Sequence, residues 1–211
     1  MSDAIEPWHY FTSPIYNFKK PEFLKSATEV CLEKLKEIKK TTKINEIYPL
    51  YNTAALHTDE RLKDLVDYVV QMAWNVLDSQ GYNMDFYRIE IHDFWCQEHQ
   101  KMSGHERHIH NSILSGFYFI DTPPDGCRLV IHDPRSAKEY VGLIERDPSK
   151  ATYASNMINF APDPGTIMFA NSWLPHSFTK NGSKKPFRMI HFNLGVVYSP
   201  PVTIQNAATV V

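Results

Sequence analysis

The spacing of apolar residues changes once along this chain, at Gly81, and this change limits the folds that are open to it. Before Gly81, apolar side chains recur at helical spacing in two stretches. After it, they recur at steps of two or four residues, which is the spacing of β-strands. The sequence therefore predicts two helices followed by a β domain of many short strands, a sandwich or barrel with a helical buttress.

The two predicted helices have recognisable ends. The first begins at Pro21, because a proline in the first turn of a helix lacks only an N–H that would be unpaired there anyway. The second runs from about Asp59 to Gln80, where Thr58 or Asp59 can cap the start and Gly81 can end the helix. We expect the apolar stripes of both helices to lie in the core.

Turn clusters rich in Pro, Gly, Asn and Asp separate the apolar runs that follow, and these runs are predicted to be strands. They are residues 116–121, 128–132, 156–160, 166–170 and 187–197, preceded by a strand around residues 87–95. Residues 136–155 form a long charged insertion, and such loops often cover a binding site. The predicted class is thus mainly β with N-terminal helices.

Composition narrows the partners and the compartment. The net charge is -2 and no long run of Lys and Arg occurs, which argues against nucleic-acid binding. The three cysteines are odd in number and widely spaced, which fits a reducing cytoplasm, and we expect neither a signal peptide nor a membrane span. We expect a single domain in four parts: an irregular segment 1–20, a helical buttress 21–81, a β core 82–198 and a tail 199–211.

Three histidines stand in contexts that fit a metal site. His108 and His110 form an H-x-H pair, and alternate residues of a strand project to the same face. His176 follows an apolar strand and a turn, where a third ligand can be presented. Imidazole suits iron, zinc, copper and nickel, so the residues alone do not choose the metal. They also leave open that these are exposed or hydrogen-bonded histidines without a ligand.

The context of these histidines resembles a family of 2-oxoglutarate- and Fe(II)-dependent oxygenases. The residues that carry the resemblance are 108–118, 133–135, 164–176 and 188–193, and it covers about residues 85–197. It implies a double-stranded β-helix, which is a two-sheet jelly roll with the metal at its open end. It also implies Fe(II) as cofactor, with 2-oxoglutarate and O2 as cosubstrates. The wider superfamily includes prolyl hydroxylases.

Residue by residue, the resemblance assigns His108 and His176 to the two iron-binding histidines of the superfamily. His110 stands where most of the superfamily has Asp or Glu, which departs from the usual triad of two histidines and one carboxylate. Either His110 completes a three-histidine site, or Asp133 supplies a carboxylate from elsewhere. We favour His110, because its i, i+2 relation to His108 is local.

The resemblance also implies cosubstrate contacts. Arg188 matches the basic residue that typically pairs with the distal carboxylate of 2-oxoglutarate, and a guanidinium binds a carboxylate bidentately. A structural ion pair is the alternative for Arg188. Ile190 stands where the superfamily often has a serine. Tyr118 is placed to offer its hydroxyl to the same cosubstrate, or else is a barrel aromatic with a satisfied hydroxyl, and Asn193 is expected to hydrogen-bond inside the barrel.

The leading hypothesis is an Fe(II)- and 2-oxoglutarate-dependent dioxygenase that hydroxylates an unidentified protein, peptide or small-molecule substrate. A peptidyl residue such as proline is suggested only by analogy with the superfamily. One alternative is a cupin-like three-histidine dioxygenase without 2-oxoglutarate, for which Arg188 would matter little. The other is a non-catalytic β-sandwich binding module, which would bind no iron tightly.

Overall fold

The computed structural model describes residues 5–200, which form two helices and ten strands. The helices are α1 (Leu24–Thr41) and α2 (Lys63–Ser79). The strands are β1 (Ile15–Lys19), β2 (Leu50–Asn52), β3 (Tyr87–His99), β4 (His105–His108), β5 (Leu114–Asp121), β6 (Leu129–His132), β7 (Met157–Phe160), β8 (Thr166–Asn171), β9 (His176–Phe178) and β10 (Phe187–Tyr198). No helix within the described range is both long and apolar enough to cross a bilayer.

Both helices begin within a few residues of the predicted positions, and α2 also ends where the sequence predicts. A 3-10 turn that starts at Pro21 leads into α1, and a second 3-10 turn leads into α2. The Asp59 side chain caps this second turn by accepting a hydrogen bond from the backbone N–H of Arg61. Gly81 follows α2 with φ +93°, a conformation that glycine adopts without strain.

Two antiparallel sheets form the body of the molecule. The larger has six strands in the order β1-β8-β5-β10-β3-β2, and the smaller has four in the order β4-β9-β6-β7. Aromatic and aliphatic side chains from both sheets fill the space between them, while α1 and α2 pack on the outer face of the larger sheet. This arrangement is the double-stranded β-helix with a helical buttress that the sequence resemblance implied.

Two segments differ from the sequence-based expectation. Ile15–Lys19, expected to be irregular, forms β1 and pairs with β8 at one edge of the larger sheet. Leu50–Asn52, expected within the helical buttress, forms β2 and pairs with β3 at the other edge. Both strands are short, and pairing with a neighbour far away in sequence determines them more than local pattern does. Of the predicted tail, residues 201–211 lie outside the described residues.

The alternation of side chains along β10 determines which of them face the metal site. Phe187 and Met189 belong to the apolar cluster between the sheets. Ile190 and Phe192 belong to the cluster beneath the helices. Because successive residues of a strand point to opposite faces, His191 shares the inner face with Phe187 and Met189.

Candidate metal centre

Three imidazoles converge at one end of the smaller sheet. His108 ends β4 and His176 begins β9, and the two are register partners in that sheet. His110 follows β4 by two residues, and its backbone N–H donates to the Ser172 carbonyl over 2.9 Å. One nitrogen from each of the three rings lies within 4.8 Å of the others, and His110 Nε2 is 3.2 Å from His176 Nε2. The structure therefore brings the three predicted ligands together.

Backbone carbonyls orient two of these rings. His108 Nδ1 lies 2.7 Å from the Glu106 carbonyl oxygen, and His176 Nδ1 lies 3.0 Å from that of Leu174. A carbonyl oxygen only accepts, so each Nδ1 carries the proton and each Nε2 has a free lone pair. Metal-binding histidines typically donate from their second nitrogen in this way, which fixes both tautomer and ring orientation.

Burial keeps the imidazoles of His110 and His176 uncharged. Desolvation lowers the pKa of His176 to about 3 and that of His110 to about 4, and neighbouring histidines lower both pKa values further. Both rings are therefore neutral at neutral pH, which is the form that coordinates a metal. Neutral imidazoles suit a borderline divalent ion such as Fe(II), so the donor set fits the iron that the sequence resemblance implied.

Asp133 does not join this cluster. Its carboxylate pairs with Arg135 Nη2 at 2.7 Å and with Lys138 Nζ at 3.2 Å. The hydrogen bond from Arg135 is the largest of the effects that hold the pKa of Asp133 well below its usual value. Among the described residues, the group of potential ligands that converges with His108 and His176 is completed by His110. The geometry thus favours His110 over Asp133 as third ligand.

Arg188 lies elsewhere, and its side chain does not face the imidazoles. Its side chain projects from the helix-facing side of β10, opposite to the inner face. Arg188 Nε donates to Glu98 Oε2 over 2.6 Å, and Arg188 Nη1 donates to Asp121 Oδ2 over 2.6 Å. Glu98 is fully buried and also pairs with Lys39 of α1. Arg188 is thus the structural ion pair that was its alternative.

Tyr118 also points away from the imidazoles. Its ring is fully buried in the cluster beneath the helices, and its hydroxyl donates to the Lys20 carbonyl over 2.9 Å. Desolvation raises the pKa of Tyr118. The phenol therefore ties the larger sheet to the segment before α1, which favours the alternative for Tyr118, a barrel aromatic with a satisfied hydroxyl.

Asn193 is the polar residue of β10 that behaves as expected. Its amide oxygen accepts from Ser115 Oγ at 2.7 Å, and its amide nitrogen donates to Asp93 at 2.9 Å. Ser115 Oγ also lies 2.7 Å from Ser172 Oγ, in the turn that leads to His176. This buried chain of hydrogen bonds ties β5 and β10 to the turn that presents two of the imidazoles.

Sequence reasoning missed His191, although it lies against the metal centre. His191 is 3% exposed, and its ring centroid is 4.7 Å from those of His110 and of Trp95. Neither ring nitrogen of His191 has a hydrogen-bond partner among the described residues. The sequence did contain a signal for this position of His191. Asn193 is expected inside the barrel, and His191, two residues before it on the same strand, must face the same side.

A groove opens between the segment before β1 and the inner face of the smaller sheet. We call it the aromatic groove, after the aromatic side chains in its walls: Trp8, His9, Tyr10, Phe11, Tyr153 and Trp173. Its cavity volume is about 470 Å³, and its lining includes Ile131 and Leu174. Ile131 is a register partner of His176, and the Leu174 carbonyl accepts the hydrogen bond from His176 Nδ1. The groove therefore adjoins the metal centre.

Comparisons with known proteins agree with this architecture. Residues 93–193 match the family described as "Putative 2OG-Fe(II) oxygenase". No curated protein matches the chain in sequence.

Solved structures of similar fold include AviO1 from Streptomyces viridochromogenes Tue57, with a TM-score of 0.63 and 11% identity over 90% of this chain and 92% of that one. A Pseudomonas putida prolyl-4-hydroxylase has a TM-score of 0.53 and 12% identity, with 86% and 93% covered. A Trichoplax adhaerens prolyl hydroxylase, in complex with a hypoxia inducible factor peptide fragment, has a TM-score of 0.56 and 10% identity, with 86% and 84% covered. At these identities the likeness concerns the fold. The family match covers the strands and loops that carry all three imidazoles, so this part of the chain is similar to the 2OG-Fe(II) oxygenases, in line with the sequence resemblance.

Proposed function

We propose that this protein is an Fe(II)- and 2-oxoglutarate-dependent hydroxylase. The observation that carries the proposal is the convergence of His108, His110 and His176, with two of the three rings already held in a metal-binding tautomer. A histidine cluster without a ligand would not need two rings fixed by backbone carbonyls with their Nε2 atoms directed at one point. The family match supplies the cofactor and the cosubstrate.

The three imidazoles would hold the iron, which when bound supplies the activation of O2 and the oxidation of a substrate C–H bond. The protein's own part is to keep His110 and His176 neutral and the site dry. The Phe117 ring packs edge-on against His176, with the ring centroids 5.6 Å apart, and Ile131 lies beside them in the apolar cluster between the sheets. Such surroundings exclude water from the centre and so limit side reactions.

The aromatic groove is the proposed substrate site, and an extended peptide containing proline is the proposed substrate. The groove is open along the surface, and its walls present exposed faces of Trp8, Tyr153 and Trp173. Grooves lined by aromatic side chains bind proline-rich segments, whose preformed extended conformation reduces the entropy lost on binding. Two of the proteins with a similar fold are prolyl hydroxylases, and one of them is bound to a peptide.

One observation favours a second candidate, a three-histidine dioxygenase that does not use 2-oxoglutarate. Both carboxylate partners of Arg188 hold it on the far face of β10, so the expected cation does not face the imidazoles. Oxygen uptake that needs Fe(II) and substrate but not 2-oxoglutarate would identify this candidate. The binding-module alternative predicts no tight iron binding.

The test of the proposal is succinate formation from 2-oxoglutarate in air with Fe(II). We expect the wild-type protein to form succinate slowly when no substrate is present and faster when a proline-containing substrate peptide is added. The His176→Ala variant should form no succinate. Equal succinate formation by His176→Ala and wild type would refute the proposal. A panel of proline-containing peptides, each paired with its alanine counterpart, tests the substrate separately. We retain the prediction of a cytoplasmic location, which the three free, buried cysteines support.

A further inference from the structure

Buried nitrogen atoms without partners are concentrated on one wall of the jelly roll. Among the described residues, five buried side-chain atoms have no hydrogen-bond partner, and four of them belong to Trp95, His99 and His191. A buried polar group without a partner destabilises a protein by about 1–3 kcal/mol, and native structures rarely keep several together unless a ligand or water satisfies them. The atoms therefore mark a place where something polar binds.

The three side chains lie in a row on the inner face of the larger sheet. Trp95 and His99 are four residues apart on β3, so both point inward. His191 of β10 is the register partner of Trp95. One end of this row is at the metal centre, where His191 contacts His110. The other end lies deeper between the sheets, where His99 contacts Phe178 and Phe187. At about 3.3 Å per residue, the span from Trp95 to His99 is roughly 13 Å, which exceeds the length of an extended five-carbon dicarboxylate.

The side chains of this row suit a ligand that accepts hydrogen bonds. The Trp95 indole N–H can only donate, and each neutral imidazole carries one N–H. His99 Nδ1 lies 2.9 Å from Ser103 Oγ, which leaves Nε2 as the atom that faces the interior without a partner. Carboxylates accept hydrogen bonds and donate none, and they form stronger bonds than neutral acceptors do.

We propose that Trp95, His99 and His191 hold 2-oxoglutarate through uncharged N–H donors, in the role that the sequence resemblance gave to Arg188. This inference rests on the proposed function, because it concerns the cosubstrate of that reaction. Trp95 and His191 bind the end of the molecule beside the metal, and His99 Nε2 binds the distal carboxylate.

The test measures the dissociation constant of 2-oxoglutarate, without oxygen and without turnover, by titration of the Fe(II)-loaded protein. Trp95→Phe keeps an aromatic ring and removes the N–H, and it should weaken 2-oxoglutarate binding by roughly tenfold or more. His99→Asn keeps a group near the Nδ1 position for Ser103 and removes Nε2, and it should weaken binding by a similar factor. His99→Gln places an amide N–H near Nε2 and should restore much of the affinity. Arg188→Met should bind 2-oxoglutarate as wild type does.

Two further measurements make the result specific. Iron affinity, measured separately, should be unchanged in the His99 variants. The monocarboxylate 2-oxobutyrate lacks the distal carboxylate, so its binding should be equal in wild type and His99→Asn. Unchanged 2-oxoglutarate affinity in both Trp95→Phe and His99→Asn would overturn the inference and leave the proposed function intact, because buried water would then satisfy these atoms. Loss of affinity in Arg188→Met alone would also overturn it. Iron-loaded wild type that does not bind 2-oxoglutarate would refute the proposed function itself.

Discussion

His108 and His176 are register partners across β4 and β9, and each directs its Nδ1 at the carbonyl oxygen of the residue two positions before it. The same local hydrogen bond on two adjacent strands thus fixes the tautomer of both rings and leaves each Nε2 free to bind a metal. Neither ring depends on a side chain for its tautomer. The metal centre is therefore built into the backbone of the smaller sheet, and several predictions about it can be tested.

Replacement of His176 by alanine should weaken divalent metal binding by more than about 100-fold, because the loss of a ligand's hydrogen-bond partner alone costs roughly 10–100-fold. The measurement is calorimetric titration with Fe(II) under anaerobic conditions. His132→Ala is the matched control, because His132 bonds Ser177 and stands outside the cluster. An equal loss of affinity in both variants would show that the site lies elsewhere.

The tautomers of His108 and His176 should be visible by NMR in protein loaded with diamagnetic zinc. Long-range proton–nitrogen correlation should show both rings protonated at Nδ1 and bound to the metal through Nε2, because a carbonyl accepts a hydrogen bond from each Nδ1. Metal coordination through Nδ1 of either ring would contradict the geometry described here.

Arg188→Met should unfold more easily without a change in metal affinity. The substitution removes a partner of the buried Glu98, and breaking a buried ion pair typically destabilises by about 3–5 kcal/mol. We expect a loss of about 3 kcal/mol in urea unfolding, near the lower end of this range because Lys39 still pairs with Glu98. Arg135→Met is the control, since Arg135 is largely exposed and its pair should contribute less than about 1 kcal/mol. Equal stability of Arg188→Met and wild type would contradict the structural role.

The metal-free protein should lose stability as the pH falls from about 6.5. Burial lowers the pKa of both His99 and His176 to about 3, below the usual 6.5 that they regain on unfolding. Between these values the unfolded chain binds protons that the folded chain does not, so the free energy of unfolding falls with pH. At about pH 5 each ring should account for a loss of roughly 2 kcal/mol relative to neutral pH.

Urea unfolding at about pH 7 and pH 5 measures this effect. A His176→Phe variant, which cannot bind that proton, should lose less stability over the same interval. A free energy of unfolding that is the same at both pH values would show that these rings are protonated in the folded state.

Gly116→Ala should destabilise the protein by about 1–3 kcal/mol, as overpacking of a core typically does. A Cβ at this position would overlap both the Phe192 ring and the Met168 carbonyl oxygen, so a backbone or a ring must move. Gly142→Ala is the control, because no atom lies within 4 Å of its added Cβ. Thermal unfolding of the two variants compares them directly, and equal melting temperatures would contradict this account of the packing.

The sequence was most informative where elements are long. The two helices and the predicted strands of residues 87–95, 116–121 and 187–197 carry many apolar residues at a constant period, so their existence follows from pattern alone. The short strands β4 and β9 have four and three residues, too few for any period to emerge. Their pairing becomes evident only in three dimensions, although they carry two of the metal ligands.

The orientation of Arg188 is hidden in the sequence for a different reason. Most residues of β10 are buried on both faces, so the strand shows no alternation of apolar and polar residues that would indicate which face each side chain takes. The assignment of Arg188 rests on the family resemblance alone. The odd spacing of Arg188 from Asn193, five residues away, would have predicted the opposite face. His191, in contrast, is two residues from Asn193, and this even spacing places it on the same inner face.

The most direct test of the central claim is an anaerobic titration of the metal-free protein, first with Fe(II) and then with 2-oxoglutarate, followed in the visible spectrum. The account predicts one iron per chain and a weak, saturable charge-transfer band when 2-oxoglutarate is added, with both lost in His176→Ala. Iron binding without a band would favour a three-histidine dioxygenase that does not use 2-oxoglutarate. Failure of the wild-type protein to bind iron would contradict the account.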